Sequence, residues 1–383
     1  MKLVFAHDHK LRKINGKYYT VGGLRDSITE RYLEFFDKIT IFCRAIEKQP
    51  YDTQLFELKN SSIQIKPVSN GSLLLSKYAK KMMENEIKNA DGLIVKLHSK
   101  IAEHAISYAR KYNIPYLVEV VGCPWDAYWN HSLKGKFVAP FMTFSTKKEI
   151  KRAPFVIYVT KNFLEKRYPT DGYWIDCSDV ELSKIEEQVL EKRLKKIEEM
   201  KNIFTIGTLA QVDVFYKGQE YVIRALEKLK NRGKIFKYKL AGSGDPTRLK
   251  KVAEKYNVAD LIEFCGTLSH EEVFNWLDNL DYYIQPSKQE GLSRSLIEAI
   301  SRGCPVAASN VGGNNELVEN NYLFKAGDIN SIVNILDKIN KESLVIQAKI
   351  NFEKAKNYDK KYLDNKRRNF YMDFASYCYK NKS

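Results

Sequence analysis

Residues 282–316 read YYIQPSKQEGLSRSLIEAISRGCPVAASNVGGNNE. A short apolar run, YYIQPS, passes through a turn at Glu290-Gly291 into a helical pattern, and PVAAS is a second apolar run. Strand, turn, helix and strand in that order make a unit whose two strands lie parallel. The first N–H groups of a helix have no partner within it, and such groups suit a phosphate. Glu290 and Glu298, eight residues apart, set two carboxylates around that helix start. A carboxylate accepts two hydroxyl hydrogen bonds at once, which suits a sugar. Read alone, the pair is also what a solvated helix face looks like.

The same alternation runs outward in both directions. KLVFAH, KITIFC, SIQIKPV, GLIVKL, PYLVEVV and PFVIYVT read as buried strands, with the helical SITERYLEFFDK, LLSKYAKKMMENEI and AEHAISYARKY among them. NIFTIGTL, FKYKLAGSG, LIEFCGTL, DYYIQPS and PVAAS repeat the pattern. The reading is α/β, with two Rossmann-like, doubly wound parallel-sheet domains facing a cleft. The first covers 1-180 and the second 201-357, with the charged, helical 181-200 (ELSKIEEQVLEKRLKKIEEM from Glu181) connecting them. In the stretch 358-383, Tyr362, Phe370, Tyr371, Phe374 and Tyr377 recur at helical spacing, which predicts a helix with one buried face. Ligands are expected beyond the carboxyl ends of the strands.

The chain has 383 residues, enough for two full cores, and 44% hydrophobic with 29% charged residues is ordinary globular composition. Its six cysteines are scattered with no CxxC pair, which points to a reducing cytoplasm rather than a disulfide or zinc framework. MKLVFAHDHK reads as a strand and not as a secretory leader, and no apolar run is long enough to span a bilayer. The net charge of +16 raises nucleic acid as a partner, but the basic residues are spread along the chain and no strand-binding groove of interleaved aromatics stands out. An anionic membrane leaflet and sugar-nucleotide diphosphates remain. LKGKFVAPFMTFSTKKEIKRAP mixes Lys134, Lys136, Lys147, Lys148, Lys151 and Arg152 with Phe137, Phe141 and Phe144. That is either a basic amphipathic face for an anionic bilayer or a set of core aromatics with solvated lysines.

PSKQEG before the helix and RGCPVAASNVGGNNELV after it resemble the donor-site signature of the family 4 (GT4) retaining glycosyltransferases, which have the GT-B fold. The resemblance covers 200–320 and, less closely, 1–180. It implies that Glu290 accepts from the hydroxyls of the transferred sugar and that Glu298 holds the ribose diol. The N–H groups of Gly291, Leu292 and Ser293 would face sugar and phosphate. The family motif has a second Gly at Ser293 and an apolar residue at Arg294, which is a further donor contact or an exposed surface residue. Family members carry an Arg at the strand end that closes NIFTIGTL and a Lys-Gly soon after, two cations gripping the diphosphate. Lys217 matches the lysine, against the plain alternative of a surface lysine. Thr208 stands where the Arg would be, so half of the clamp is missing or comes from elsewhere. LAGSG, with Gly242, resembles the glycine turn of the next strand, and FCGTL, from Gly266 to Leu268, the cradle of the nucleobase.

On the acceptor side, Gly22-Gly23 precede a helix and resemble the glycine loop that approaches donor phosphates and acceptor, or form a plain turn. His7 and His9, read as following the first strand, would border the same cleft. Many members have a His before Gly122, close to the reacting carbon, where this chain has Val121. VEVVG-PWDA-WNH resembles a subgroup of polysaccharide-assembly transferases. Glu119, Asp126 and His131 remain as polar candidates, Asp126 first because Pro124-Trp125 fix a turn before it. Asp126 as a helix cap is the alternative. His98 ends a strand and reads as structural. For the last helix, the fold implies packing back on the N-terminal domain.

The resemblance implies a retaining transfer from a UDP- or GDP-linked sugar to a hydroxyl of a glycan acceptor, lipid-linked, in bacterial surface polysaccharide (capsule, exopolysaccharide or O-antigen) assembly. It implies no cofactor and no required metal, in the cytoplasm or at the inner face of the plasma membrane, with no nucleic acid. The alternatives are a GT-B sugar-nucleotide epimerase or hydrolase, and a non-enzymatic basic protein binding membrane or nucleic acid.

Overall fold

The computed structural model describes residues 1–21, 24–47, 55–68, 75–130, 133–182, 185–200 and 204–381. The N-terminal half contains β1 (Lys2–Ile14), β2 (Lys17–Thr20), β3 (Lys38–Ile46), β4 (Phe56–Glu57), β5 (Ile63–Val68), β6 (Gly92–Leu97), β7 (Tyr116–Val120), β8 (Phe155–Tyr158) and β9 (Tyr173–Asp176). Seven of these form a parallel sheet in the order β5-β3-β1-β6-β7-β8-β9. Side chains alternate across it: Val4, Val95, Val118 and Val156 enter one core, Phe5, Ile94, Leu117 and Ile157 the other. Burial on both faces is why these strands read as continuous apolar runs.

The second sheet holds β10 (Phe204–Leu209), β11 (Phe236–Ala241), β12 (Ile262–Gly266), β13 (Tyr282–Gln285), β14 (Val306–Ser309) and β15 (Leu323–Phe324). The order β12-β11-β10-β13-β14-β15 is parallel throughout. The strand order reverses at β1/β6 in the first sheet and at β10/β13 in the second. Crevices open at such switch points, beyond the carboxyl ends of the strands.

Two features differ from the sequence reading and one adds to it. First, β1 does not stop near residue 7. It continues to Ile14 and returns through Asn15-Gly16, both at positive φ, into β2. His7 and His9 therefore lie within the strand, where the register against β3 shifts between Ala6 and Lys10. Second, the helix Glu187–Glu198, read as part of the connection between the domains, packs against the second one. Val189 and Ile197 are buried, and the Arg193 guanidinium donates to the carbonyls of Leu277 (2.8 Å), Leu280 and Arg302 (3.2 Å) at two helix ends of the second domain. Third, Phe137, Phe141 and Phe144 on the helix Leu133–Lys151 are exposed, so the core alternative for them fails.

The last helix, Lys360–Lys380, buries Leu363, Phe370, Tyr371, Phe374 and Cys378 in the N-terminal core with Phe36 and Phe155. Its entry is paired with the outgoing crossing between the halves: Leu182 N–H donates to Tyr358 O (2.8 Å) and Lys360 N–H to Leu182 O (2.9 Å). No described helix is long and apolar enough to cross a membrane.

Candidate active site

The segment after β13 faces the segment after β10. Lys217 closes a short 3-10 turn, Phe215–Lys217, and its Nζ lies 2.8 Å from Glu290 Oε1. The same oxygen accepts from Ser287 Oγ at 2.7 Å and Gln285 Nε2 at 3.1 Å. Gln285 is fixed in turn by Tyr283, whose O–H donates to its Oε1 at 2.5 Å. The bonds from Lys217, Ser287 and Gln285 all converge on Oε1 of Glu290, so its carboxylate is oriented without being fully consumed. Gly218 at φ +72 makes this approach possible, because a Cβ there would stand 2.1 Å from Pro286 O.

The turn Glu290–Ser293 is clamped from beneath. Gly313 N–H donates to Gly291 O at 2.7 Å. The backbone N–H groups of Gly291, Leu292 and Ser293 have no partner among the described residues. Ser293 then caps the helix Arg294–Ser301 with extended backbone and no side-chain cap bond. Free N–H groups and a helix start thus share one spot, an arrangement that attracts anions. Across the cleft stands the β7 turn: a Cβ on Gly291 would lie 3.0 Å from Val121 O and 3.7 Å from Gly122 Cα.

Glu298 sits one helical turn further in, 6% exposed. Burial pushes its carboxyl up to about 7, and the charge of Arg294 offsets this only partly. Arg294 is exposed, lines a cleft cavity of about 620 Å³ with Lys96, Glu119 and His270, and has no ion-pair partner among the described residues. Gly242 (φ +148) and Gly266 (φ +71) end β11 and β12 in conformations that favour glycine, and Gly242 packs on the loop after β10. Leu268 is half-buried against the second core.

Several other predicted residues have partners of their own. The Thr208 side chain is fully buried, and its hydroxyl meets Tyr238 OH (2.8 Å) and donates to Ile284 O (2.6 Å). It points into the sheet layer and not the cleft, so its side chain is no donor contact. Asp126 lies in the short helix Pro124–Trp129 with its carboxylate turned 3.8 Å from Arg167, and Cys123 is that helix's N-cap. Glu119 is a buried anchor: Tyr371 O–H (2.7 Å), Tyr32 O–H (2.8 Å) and Lys96 (3.2 Å) hold it. Burial alone would raise its carboxyl, but Lys96 and the two hydroxyls keep it below the usual range. Burial and then Lys96 drive the His7 imidazole down to about 3 and lower His9, so both rings are neutral at pH 7. His98 is also lowered by burial, and its ring is what a Cβ on Gly122 would approach, at 4.0 Å. Gly22, Gly23 and His131 lie outside the described residues.

Sequence reasoning assigned no role to Gln285, Ser287 or Glu316. The first two are polar groups at the carboxyl end of β13, a position where ligand-binding residues gather, and that signal was readable. Glu316 is different. Its carboxylate accepts from the backbone N–H groups of Lys161 (2.7 Å), Asn162 (2.9 Å) and Phe163 (2.8 Å), across the domain boundary.

Two parallel α/β domains meeting at their strand ends, with a carboxylate, a lysine and free N–H groups in the crevice, define a GT-B architecture. The family model described as glycosyl transferases group 1 matches residues 187–361. Protein CapJ of Staphylococcus aureus is 33% identical over 364 residues, 92% of this chain and 90% of its own. The amylovoran biosynthesis glycosyltransferase AmsK of Erwinia amylovora is 32% identical over 130 residues, 31% of this chain and 32% of AmsK. The crystal structure of Anabaena HepE in complex with UDP superposes with a TM-score of 0.63 at 14% identity, over 99% of this chain and 100% of HepE, a likeness of fold. The chain belongs to the group 1 glycosyltransferases, and it is a glycosyltransferase.

Proposed function

We propose that this enzyme moves a sugar, with retention at the anomeric carbon, from a nucleotide-diphosphate donor to a hydroxyl of a lipid-linked glycan at the inner face of the plasma membrane. The observation that carries this is Glu290: a carboxylate oriented by Lys217, Ser287 and Gln285, beside free N–H groups and facing the Val121–Gly122 turn. Glu290 accepts from the hydroxyls of the transferred sugar. Lys217, already at that carboxylate, and the N–H groups of Gly291, Leu292 and Ser293 take the charge that builds on the leaving diphosphate. Arg294 is the available cation for the place left by Thr208. Glu298 holds the ribose diol, and the Gly266–Leu268 turn receives the base. No metal is needed for that charge balance.

A donor phosphate oxygen takes the acceptor proton on the front face, which asks for no protein base. Val121 at the turn and the neutral imidazoles of His7, His9 and His98 fit that economy. The HepE complex supports a UDP-linked donor ahead of a GDP-linked one. The likeness to an amylovoran-biosynthesis enzyme supports a place in surface-polysaccharide assembly.

The test is a thermal-shift panel of UDP, GDP, ADP and dTDP with their common sugar conjugates, with and without EDTA. Selective stabilisation by UDP that EDTA leaves intact is the expected result. No shift with any nucleotide removes the donor-site assignment. Glu290→Ala should cut transfer by about a hundredfold or more, the scale of losing one transition-state contact; turnover near wild type sinks its role.

A further inference from the structure

The helix Leu133–Lys151 carries a row of large apolar side chains into solvent. Leu133 is 77% exposed, Phe137 86%, Phe141 66% and Phe144 70%. Scattered exposed apolar residues mean little, but these four are spaced to lie on one stripe of one helix. At about 100° per residue they cover roughly a quarter of the circumference. Ala139, Met142, Thr146 and Ile150 form the opposite, buried side.

The stripe has a cationic frame. Lys134 borders one edge and Lys136 and Lys147 the other, while Lys148, Lys151 and Arg152 continue it at the C-terminal end, all exposed. From 133 to 152 the one acidic residue is Glu149, which is buried and paired with Arg110 at 2.8 Å. Trp129, 40% exposed, extends the apolar surface on the preceding helix, with Lys136 Nζ 5.6 Å from its ring. Phe141 has Lys100 Nζ 5.4 Å from its ring.

An apolar ridge between lysines complements one surface chemistry well: acyl chains beneath anionic headgroups. A second copy of this chain is a poor fit, because a two-fold contact would set the same lysines against each other. We infer that the helix Leu133–Lys151 docks the enzyme on a bilayer bearing anionic phospholipids, with Leu133, Phe137, Phe141 and Phe144 at the headgroup–acyl boundary and the lysines at the phosphates. The helix follows the Val121–Gly122 turn and the helix Pro124–Trp129 in the chain, so docking brings that side of the cleft to the membrane. The purpose rests on the reading of a lipid-linked acceptor; the binding itself does not.

The test is sedimentation of the full chain with vesicles of phosphatidylglycerol and phosphatidylcholine, against vesicles of phosphatidylcholine alone. Wild type should pellet with the anionic vesicles and release as salt rises. Phe137→Ser/Phe141→Ser/Phe144→Ser should lower that partition more than about tenfold, since three apolar contacts go. Lys134→Glu/Lys136→Glu should remove the preference for anionic vesicles. Both variants should keep the nucleotide thermal shift, which shows them folded. Wild type that stays in the supernatant, or a triple serine variant that pellets equally, overturns docking. So does a wild-type oligomer that the serine variant dissolves without any vesicle binding. Vesicle binding with no nucleotide shift would instead remove the transfer reading and leave docking standing.

Discussion

At the scale of single residues, the sequence pointed to groups for the crevice but not to their charge states. Glu298 is the clearest example. Its spacing from Glu290 was readable; its burial depends on packing that only the folded second domain supplies. Its carboxyl rises from 4.5 to about 7 by burial. The folded state therefore keeps a proton that the unfolded chain releases at lower pH. Stability from this group is present below about pH 4.5, falls as pH rises to about 7, and stays reduced above. Glu298→Gln should thus raise stability at about pH 8, by an amount on the order of 1–3 kcal/mol, and change it little at about pH 5. A donor whose ribose hydroxyls bond the carboxylate favours its charged form, so nucleotide affinity in wild type should weaken as pH drops below about 7. Calorimetric titration of UDP across that range checks both, and a pH-independent affinity in wild type would remove Glu298 from the ribose. The side-chain directions of Thr208 and Asp126 were unreadable for a related reason. Strand ends and turns locate a residue, but the direction of its side chain is set by neighbours distant in sequence: Tyr238 for one and Arg167 for the other.

At the scale of elements, the alternation of apolar runs and helical patterns carried the fold, because parallel strands buried on both faces leave an unbroken apolar signal. The β1–β2 hairpin escaped, although Asn15-Gly16 is a turn signal, since the polar KLRKI before it does not look like a strand. The glycines of Val311–Gly313 were visible as part of the signature, while the reason for them was not. Gly312, at φ +55, would place a Cβ 1.9 Å from Glu290 O, and Gly313 would place one 2.8 Å from Gly291 O. The donor turn therefore sits directly on these two backbones. Gly312→Ala must displace it, and we expect a loss of roughly 2–4 kcal/mol together with the UDP-induced shift. Gly233→Ala is the control. It has a similar φ of +77 but nothing within 4 Å of a new Cβ, so it should cost about 1 kcal/mol or less and leave the nucleotide response intact. Equal losses in the two variants would mean that left-handed strain, and not the contact with Glu290, sets the effect.

At the scale of the whole molecule, the two domains are joined, among the described residues, by paired crossings and by a side-chain clamp. Leu182 hydrogen-bonds the entry of the last helix, and Glu119 ties that helix to the first sheet through Tyr32 and Tyr371. Neither contact involves the segment 290–316 that carries the donor turn. Glu316 belongs to that segment: it lies just beyond Gly313 and holds three N–H groups at 161–163 of the opposite domain. The clamp and the approach of Gly291 to Val121 thus share the segment 311–316. No local pattern announces such a contact, because its two halves lie more than a hundred and fifty residues apart. Removing the carboxylate leaves three donors to water and frees the domains to reorient. Glu316→Ala should lower stability by roughly 1–3 kcal/mol and speed amide exchange at 161–163. Transfer should fall even at saturating donor, because the facing turns are no longer held together. Glu316→Gln, which keeps one accepting oxygen, should lie between alanine and wild type in midpoint, exchange and turnover. If the alanine variant exchanges and turns over like wild type, domain closure is set by the crossings alone and the clamp is incidental. If exchange rises but turnover holds, the domains open without the cleft geometry depending on it, and the contact between Gly291 and Val121 must be remade by the bound donor.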